Sequence, residues 1–110
     1  MSQDKLYQVV WSDLADETYG RELNFIDLKW NINEVVKFMT LVDEFIEKLE
    51  SGVIAGKFFK HVKINSFVLS KQTTLFFDID EAKKEIELLL FWNNKENPED
   101  LETIIKRLKK

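Results

Sequence analysis

The segment 62–101 constrains the fold of this chain more than any other part of it. Within it, residues 74–79 and 86–92 alternate in hydrophobicity, a pattern typical of strands that bury one face. Only the polar turn 80–84 separates them, and so short a connection allows only antiparallel pairing. A β-branched run at 62–69 precedes them. We therefore predict a three-stranded antiparallel meander.

The phase of these strands leads to two further expectations. In the first strand apolar residues fall on both phases, which either a bulge near Asn65 and Ser66 or burial on both faces explains. In the last strand, alternate residues predict a single apolar face, formed by Ile86, Leu88, Leu90 and Trp92.

Three helices are predicted from capping residues and apolar periodicity. The first follows Ser12 as N-cap and runs to about Lys29. The second follows Asn31 and ends near Gly52, whose residue type suits a left-handed C-terminal cap. The third follows Asn97, with a proline in its first position.

A short strand at 6–11 completes the predicted order β-α-α-β-β-β-α, with a loop at 53–58 after the helical hairpin. This order predicts an α+β fold in which the hairpin packs on a small antiparallel sheet that the first strand joins. At 110 residues, the chain is expected to form one domain, 1–110.

Composition excludes several kinds of site. There is no cysteine, which excludes disulfides, thiolate catalysis and cysteine-bound zinc, and His61 is the only histidine. No Gly-rich phosphate loop or metal-ligand spacing is present, so we expect no metal and no cofactor. Residues 1–5 do not resemble a signal peptide and no apolar run could span a bilayer. We expect a cytoplasmic protein without membrane contact.

Charge is distributed unevenly along the chain. The formal net charge of −4 argues against general or sequence-specific nucleic-acid binding, which needs an excess of Lys and Arg. From Ser51 to Phe77, however, there is no acidic residue, and Lys60, Lys63 and Lys71 lie in this stretch. A local positive face on the sheet is therefore expected, although a solvated strand explains each lysine individually.

Four segments resemble the RelE/ParE superfamily of bacterial toxins. Residues 9–15 resemble its opening strand and first helical turn, and residues 30–38 resemble the start of its second helix. Residues 70–77 and 91–98 resemble its last two strands. The resemblance covers nearly the whole chain in the same order.

This resemblance implies the toxin of a type II toxin–antitoxin pair, a class associated with plasmid stabilization. Its partner would be a small cognate antitoxin that wraps the helical hairpin and the sheet. RelE-like members cleave mRNA on the ribosome with basic side chains across the sheet. ParE-like members share the fold and are associated with inhibition of DNA gyrase.

The chain departs from the nuclease pattern of the RelE branch. Cationic positions of that pattern correspond here to Asn65, Phe67 and Thr74, and the C-terminal aromatic position corresponds to Leu101. Only Lys95 keeps a charge where the pattern has arginine, and lysine lacks the bidentate guanidinium fork. RNA cleavage needs a group that activates the 2′-hydroxyl and cations that stabilise the developing charge.

We therefore expect a ParE-like toxin that acts by protein–protein contact, with DNA gyrase as the implied target. The ParE-like motif of an arginine three residues before a proline is present here as Lys95 and Pro98. One alternative is a RelE-like ribosome-dependent mRNA endonuclease, in which Lys95 would be catalytic. Another is an attenuated, non-toxic relic that only binds an antitoxin.

These expectations assign two sets of binding residues. The target-binding residues are Lys60, Lys63, Lys71 and Lys95. The antitoxin-binding residues are Val36, Leu41, Val42 and Phe76. Phe76 points away from Leu75 and Phe77, so it either packs under the C-terminal helix, which we favour, or receives an antitoxin segment.

Overall fold

The computed structural model describes residues 5–54, 56–60 and 62–108, and these contain one five-stranded sheet and three helices. The elements are β1 (Gln8–Trp11), α1 (Asp13–Lys29), α2 (Ile32–Glu50), β2 (Lys57–Phe59), β3 (Ile64–Val68), β4 (Thr73–Asp80), β5 (Glu85–Asn93) and α3 (Pro98–Leu108). The α+β class and the predicted element order are confirmed. An additional short strand, β2, overlaps the segment predicted as a loop.

The strand order in the sheet is β1-β5-β4-β3-β2. Strands β3 to β5 form the predicted three-stranded antiparallel meander, and β2 extends it by one strand. β1 pairs in parallel with β5, with Gln8 opposite Glu85 and Trp11 opposite Leu88. The sheet is therefore mixed rather than purely antiparallel. Because the whole helical hairpin lies between β1 and the meander, the chain has the length that a parallel crossover needs.

The helices begin at the predicted caps. The Ser12 hydroxyl accepts a hydrogen bond from the backbone N–H of Ala15 at 3.0 Å. The Asn31 side chain accepts one from Glu34 at 3.1 Å, and Asn97 caps α3 in the same manner. These bonds satisfy backbone donors that have no partner within the helix.

A β-bulge in β5 changes which side chains face each side of the sheet. Phe77 lies opposite Leu88 and Phe76 opposite Leu90, so Leu89 has no opposing residue on β4. The predicted single apolar face of this strand is therefore wrong. Before the bulge, Ile86 and Leu88 pack beneath the hairpin. After the bulge, Leu90 and Trp92 pack beneath α3 on the other side of the sheet.

Strand β3 packs side chains into both cores, and only Val68 at its end is exposed. Its register with β4 runs without a break from Asn65 opposite Phe77 to Val68 opposite Thr74, so there is no bulge in it. Ile64 belongs to the core beneath α3, and Phe67 stacks on the hairpin side. Burial on both faces, one of the two predicted explanations, is confirmed.

The sheet separates two apolar cores of unequal depth. The larger core lies beneath the hairpin, where α2 contributes five buried side chains: Val35, Phe38, Val42, Phe45 and Leu49. The smaller core lies beneath α3, which has no fully buried residue and contributes half-buried side chains: Leu101, Ile104, Ile105 and Leu108. α3 is therefore docked more weakly than the hairpin.

Side chains of α1 cover the edge of β5 where β1 stops. β1 ends at Trp11, and the hydroxyl of Ser12 donates to the carbonyl of Leu89 at 3.1 Å. Six residues further along the chain, in α1, the hydroxyl of Thr18 accepts a hydrogen bond from the backbone N–H of Phe91 at 2.9 Å. The edge of a sheet needs such partners when it is buried.

Candidate functional site

Four lysines lie at the end of the sheet where β4 begins and β5 ends. Lys71 is in the turn between β3 and β4, and its carbonyl accepts a hydrogen bond from the Asn94 side chain at 3.2 Å. Lys95 follows Asn94, and its side chain meets that of Lys29 at the end of α1. Lys37 on α2 lines a cleft that the same turn also lines. We refer to Lys29, Lys37, Lys71 and Lys95 as the basic end.

The basic end is poorly neutralised. Within the described residues, Lys29, Lys71 and Lys95 form no ion pair with a carboxylate, and Lys37 pairs with Glu34 at 3.2 Å. The contact with Lys95, together with some desolvation and charge repulsion, lowers the pKa of Lys29 below its ordinary value. Two ammonium groups that approach each other without a counterion favour an anion beside them.

An open cleft of about 240 Å³ adjoins the basic end. Its floor is the buried Ile26 and Phe38, and the half-exposed Trp30 and Leu41 form its apolar walls. Its remaining lining is polar or charged and consists of Glu34, Lys37, Ser70 and Gln72. We call this the Trp30 cleft.

Trp30 is held in place by its neighbours. The Nζ of Lys29 lies 5.0 Å from the centre of its ring and 5.5 Å from that of Phe25. The two rings meet edge to face, with an interplanar angle of 89°. One face of the indole is therefore occupied by a cation.

The predicted target-binding lysines do not form one surface. Lys71 and Lys95 belong to the basic end, whereas Lys60 and Lys63 flank the turn between β2 and β3, at the opposite end of β4. β4 has eight residues, which at ~3.3 Å per residue separates the two pairs by roughly 25 Å. Lys63 there shares a hollow with Glu81, so that end is not uniformly positive.

The predicted antitoxin-binding residues are also separated in the structure. Val36 and Leu41 are 56% and 42% exposed, but they are five positions apart, about 140° of rotation on a helix of 3.6 residues per turn. Val42 is 0% exposed and belongs to the core beneath the hairpin. Phe76 is 5% exposed and packs under α3, which confirms the favoured orientation of its side chain. Val42 and Phe76 offer no surface in this structure.

An exposed apolar stripe runs along one side of α2. It is formed by Ile32, Val36 and Met39, which are spaced four and three positions apart and so lie on one helical face. Asp43 continues the same face one turn later. We call Ile32, Val36 and Met39 the α2 stripe. It lies on the flank opposite to Leu41 and the Trp30 cleft.

A second apolar hollow lies beneath α3. It measures about 200 Å³ and is lined mainly by Phe59, Val62, Phe76, Leu101 and Ile105. It results from the loose docking of α3 on the sheet, since no side chain of this helix is fully buried.

A buried carboxylate lies next to the basic end, and sequence reasoning missed it. Glu22 of α1 is 3% exposed and accepts hydrogen bonds from the Thr73 hydroxyl at 2.5 Å and the Asn93 amide at 3.2 Å. Burial raises the pKa of Glu22, the two hydrogen bonds oppose that shift, and Glu96 adds to it. The side-chain oxygen Oδ1 of Asn93 in turn accepts a hydrogen bond from the backbone N–H of Lys95 at 3.0 Å. Glu22 therefore anchors the loop that carries Lys95.

The positions of the nuclease pattern carry little positive charge in the structure. Phe67 stacks in the core beneath the hairpin, and the buried Thr74 donates its hydroxyl hydrogen to Asn94 at 2.8 Å. Asn65 and Leu101 are uncharged. Of these positions, only Lys95 presents a cation.

The described residues contain no group of three or more His, Cys, Asp or Glu side chains arranged to hold a metal ion. His61 lies outside the described residues. None of the helices in the described ranges is both long enough and apolar enough to cross a bilayer.

Comparison with known proteins gives a match at the level of fold. No protein-family model matches the sequence, and no curated protein matches it. Among solved structures, the chain is similar to one from the "Chromosomal ParDE TA system from P. aeruginosa", with a TM-score of 0.65 and 14% sequence identity. The match covers 80% of this chain and 96% of that chain. The chain therefore shares the fold of that chain over most of its length.

Proposed function

We propose that this protein is a toxin-like subunit of a type II toxin–antitoxin pair, ParE-like in acting by contact with another macromolecule. The observation that carries the proposal is the fold, which matches a chain from a ParDE toxin–antitoxin system over nearly all of that chain. Its cellular target, with DNA gyrase as the first candidate, is part of the same proposal.

The arrangement of charges supports docking rather than RNA cleavage. A metal-free ribonuclease needs a general base and several cations around one phosphate. Lys60 and Lys63 lie too far from Lys95 to act on the same phosphate, and Phe67 and Thr74 are committed to packing and hydrogen bonding. Lys95 alone supports the alternative of a ribosome-dependent endonuclease.

The α2 stripe is the surface that we assign to the antitoxin. It is exposed and apolar, and α2 also carries Asp43, Glu44 and Glu47, which are exposed. An amphipathic helix with an apolar face and basic flanks complements such a surface. Of the predicted antitoxin-binding residues, Val36 belongs to this stripe, whereas Leu41 lines the Trp30 cleft.

Co-purification with the product of the adjacent reading frame tests this assignment. Val36→Glu places a charge in the centre of the stripe and should weaken capture about tenfold or more, equivalent to at least ~1.4 kcal/mol. Leu41→Glu is the matched control, since it introduces the same group on the opposite flank of α2 and should leave capture unchanged. A monomer that ignores the neighbouring product, or equal loss in both variants, would contradict the assignment.

A further inference from the structure

We infer that the Trp30 cleft and the basic end together bind a short acidic segment of a partner protein, with one bulky apolar side chain seated in the cleft. The inference deepens the docking part of the proposed function by naming the chemistry of a partner. It concerns a different surface from the α2 stripe.

Charge complementarity indicates an acidic partner. The chain carries 16 basic and 20 acidic residues, so without the four lysines of the basic end its net charge would be 12 − 20 = −8. In that acidic protein, Lys29, Lys71 and Lys95 lie together without a carboxylate partner among the described residues. The carboxylate of Glu22 is buried and bound by Thr73 and Asn93, and it forms no ion pair with these lysines.

The cleft supplies a place for an apolar anchor. Its interior is formed by Ile26, Phe38, Trp30 and Leu41, and its volume of about 240 Å³ accommodates one large side chain. Binding energy in protein interfaces concentrates where such a side chain enters a pocket surrounded by a polar rim. Lys37 on the rim can bind a carboxylate of the same segment, although it must share its pairing with Glu34.

The geometry favours a peptide over a nucleic acid. Sequence-tolerant binding of single strands depends on aromatic faces on which bases stack. The Trp30 face is covered by the Lys29 ammonium at 5.0 Å, and its ring packs edge to face with Phe25.

The test is a titration of the full-length, isotope-labelled chain with a short synthetic peptide, followed by nuclear magnetic resonance. The probe peptide has one leucine flanked on both sides by glutamates. We expect saturable shifts of the Trp30 indole N–H and the Ser70 and Gln72 amides. Replacing the leucine of the peptide by serine should weaken binding about tenfold, and replacing its glutamates by glutamine should do the same.

Two pairs of protein variants test whether the peptide binds at the proposed site. Lys95→Glu should weaken peptide binding about tenfold or more, whereas Lys63→Glu makes the same charge change at the far end of β4 and should have less effect. Leu41→Asp should abolish the shifts at Trp30, whereas Val36→Asp on the opposite flank should retain them. All four positions are exposed, so these variants should remain folded, which the spectra themselves report.

Shifts spread over the surface, equal weakening by Lys63→Glu and Lys95→Glu, or no binding at all would overturn the inference. Tighter binding of oligothymidylate than of the peptide, at the same cleft, would replace it with nucleic-acid recognition. The titration uses neither the antitoxin nor a growth assay. Peptide binding and toxin activity can therefore fail separately.

Discussion

Glu22 shows how a single residue can be misread from sequence. A glutamate in an amphipathic helix is usually solvated, but Ala15, Thr18, Glu22 and Ile26 are spaced three or four positions apart and share one face of α1. That spacing was the available signal. The reason for a polar residue on the buried face is non-local, because Glu22 binds Thr73 and Asn93 at the end of the sheet.

The Glu22 carboxyl group should contribute more to the free energy of unfolding at acid pH than at neutral pH. Because the folded protein raises the pKa of Glu22, this contribution is fully present below the unfolded value, about 4.3, and is lost as pH rises through the folded value. The free energy of unfolding should therefore fall as the pH rises through the folded pKa of Glu22, and Glu22→Gln should remove this fall. Urea titration at several pH values measures it. Glu17→Gln, an exposed change on the same helix, is the control.

If the wild-type protein and Glu22→Gln show the same dependence of stability on pH, the account of Glu22 is wrong. Glu22→Ala serves as a second check. It leaves the buried Thr73 and Asn93 groups without their acceptor and should cost about 1–3 kcal/mol of stability.

Thr18 offers a test of how α1 covers the edge of β5. Thr18→Val keeps the shape of the side chain but removes the acceptor of the Phe91 N–H, so it should cost about 1–3 kcal/mol. Thr40→Val is the matched control, since Thr40 is an exposed helical threonine whose hydroxyl only donates to its own helix. Chemical denaturation measures both. Equal losses would show that helix propensity, rather than the edge hydrogen bond, determines the effect.

At the scale of elements, local chemistry was predictable and long-range pairing was not. Helix starts at Ser12, Asn31 and Asn97 depend on side chains within three residues, and each was found as predicted. The bulge at Leu89 depends on the register with β4, and no residue type in a run of three leucines marks it. The parallel pairing of β1 depends likewise on the path of the whole hairpin.

The shallow docking of α3 leads to a prediction about local opening. Amides of α3 should exchange with solvent through opening of that helix alone, at a lower free energy than amides of β4 and β5. Ile105→Ala removes part of the half-buried stripe and should lower the opening free energy of α3 by about 1 kcal/mol without affecting β4. Native-state hydrogen exchange measures both elements in one experiment. A single opening free energy shared by α3 and β4 would contradict weak docking.

At the scale of the whole molecule, two surfaces are separated by the width of α2. The α2 stripe is apolar with acidic neighbours, and the Trp30 cleft is apolar with basic neighbours. Sequence reasoning named residues of both, including Val36, Leu41, Lys71 and Lys95. It could not separate them, because a list of exposed residue types does not show which flank of a helix or which end of a sheet each one occupies. Val42 illustrates the limit, since its position on α2 makes it core.

The most direct test of the central claim is induced expression in a bacterial host, with growth followed and the 5′ ends of transcripts mapped in the same culture. We expect growth to stop while transcripts stay intact, and to resume when the adjacent reading frame is expressed together with the chain. Lys95→Ala should not generate or remove any transcript end. Cleaved transcripts that disappear in Lys95→Ala would show an endonuclease instead, and unimpaired growth would show a chain that has lost its toxicity.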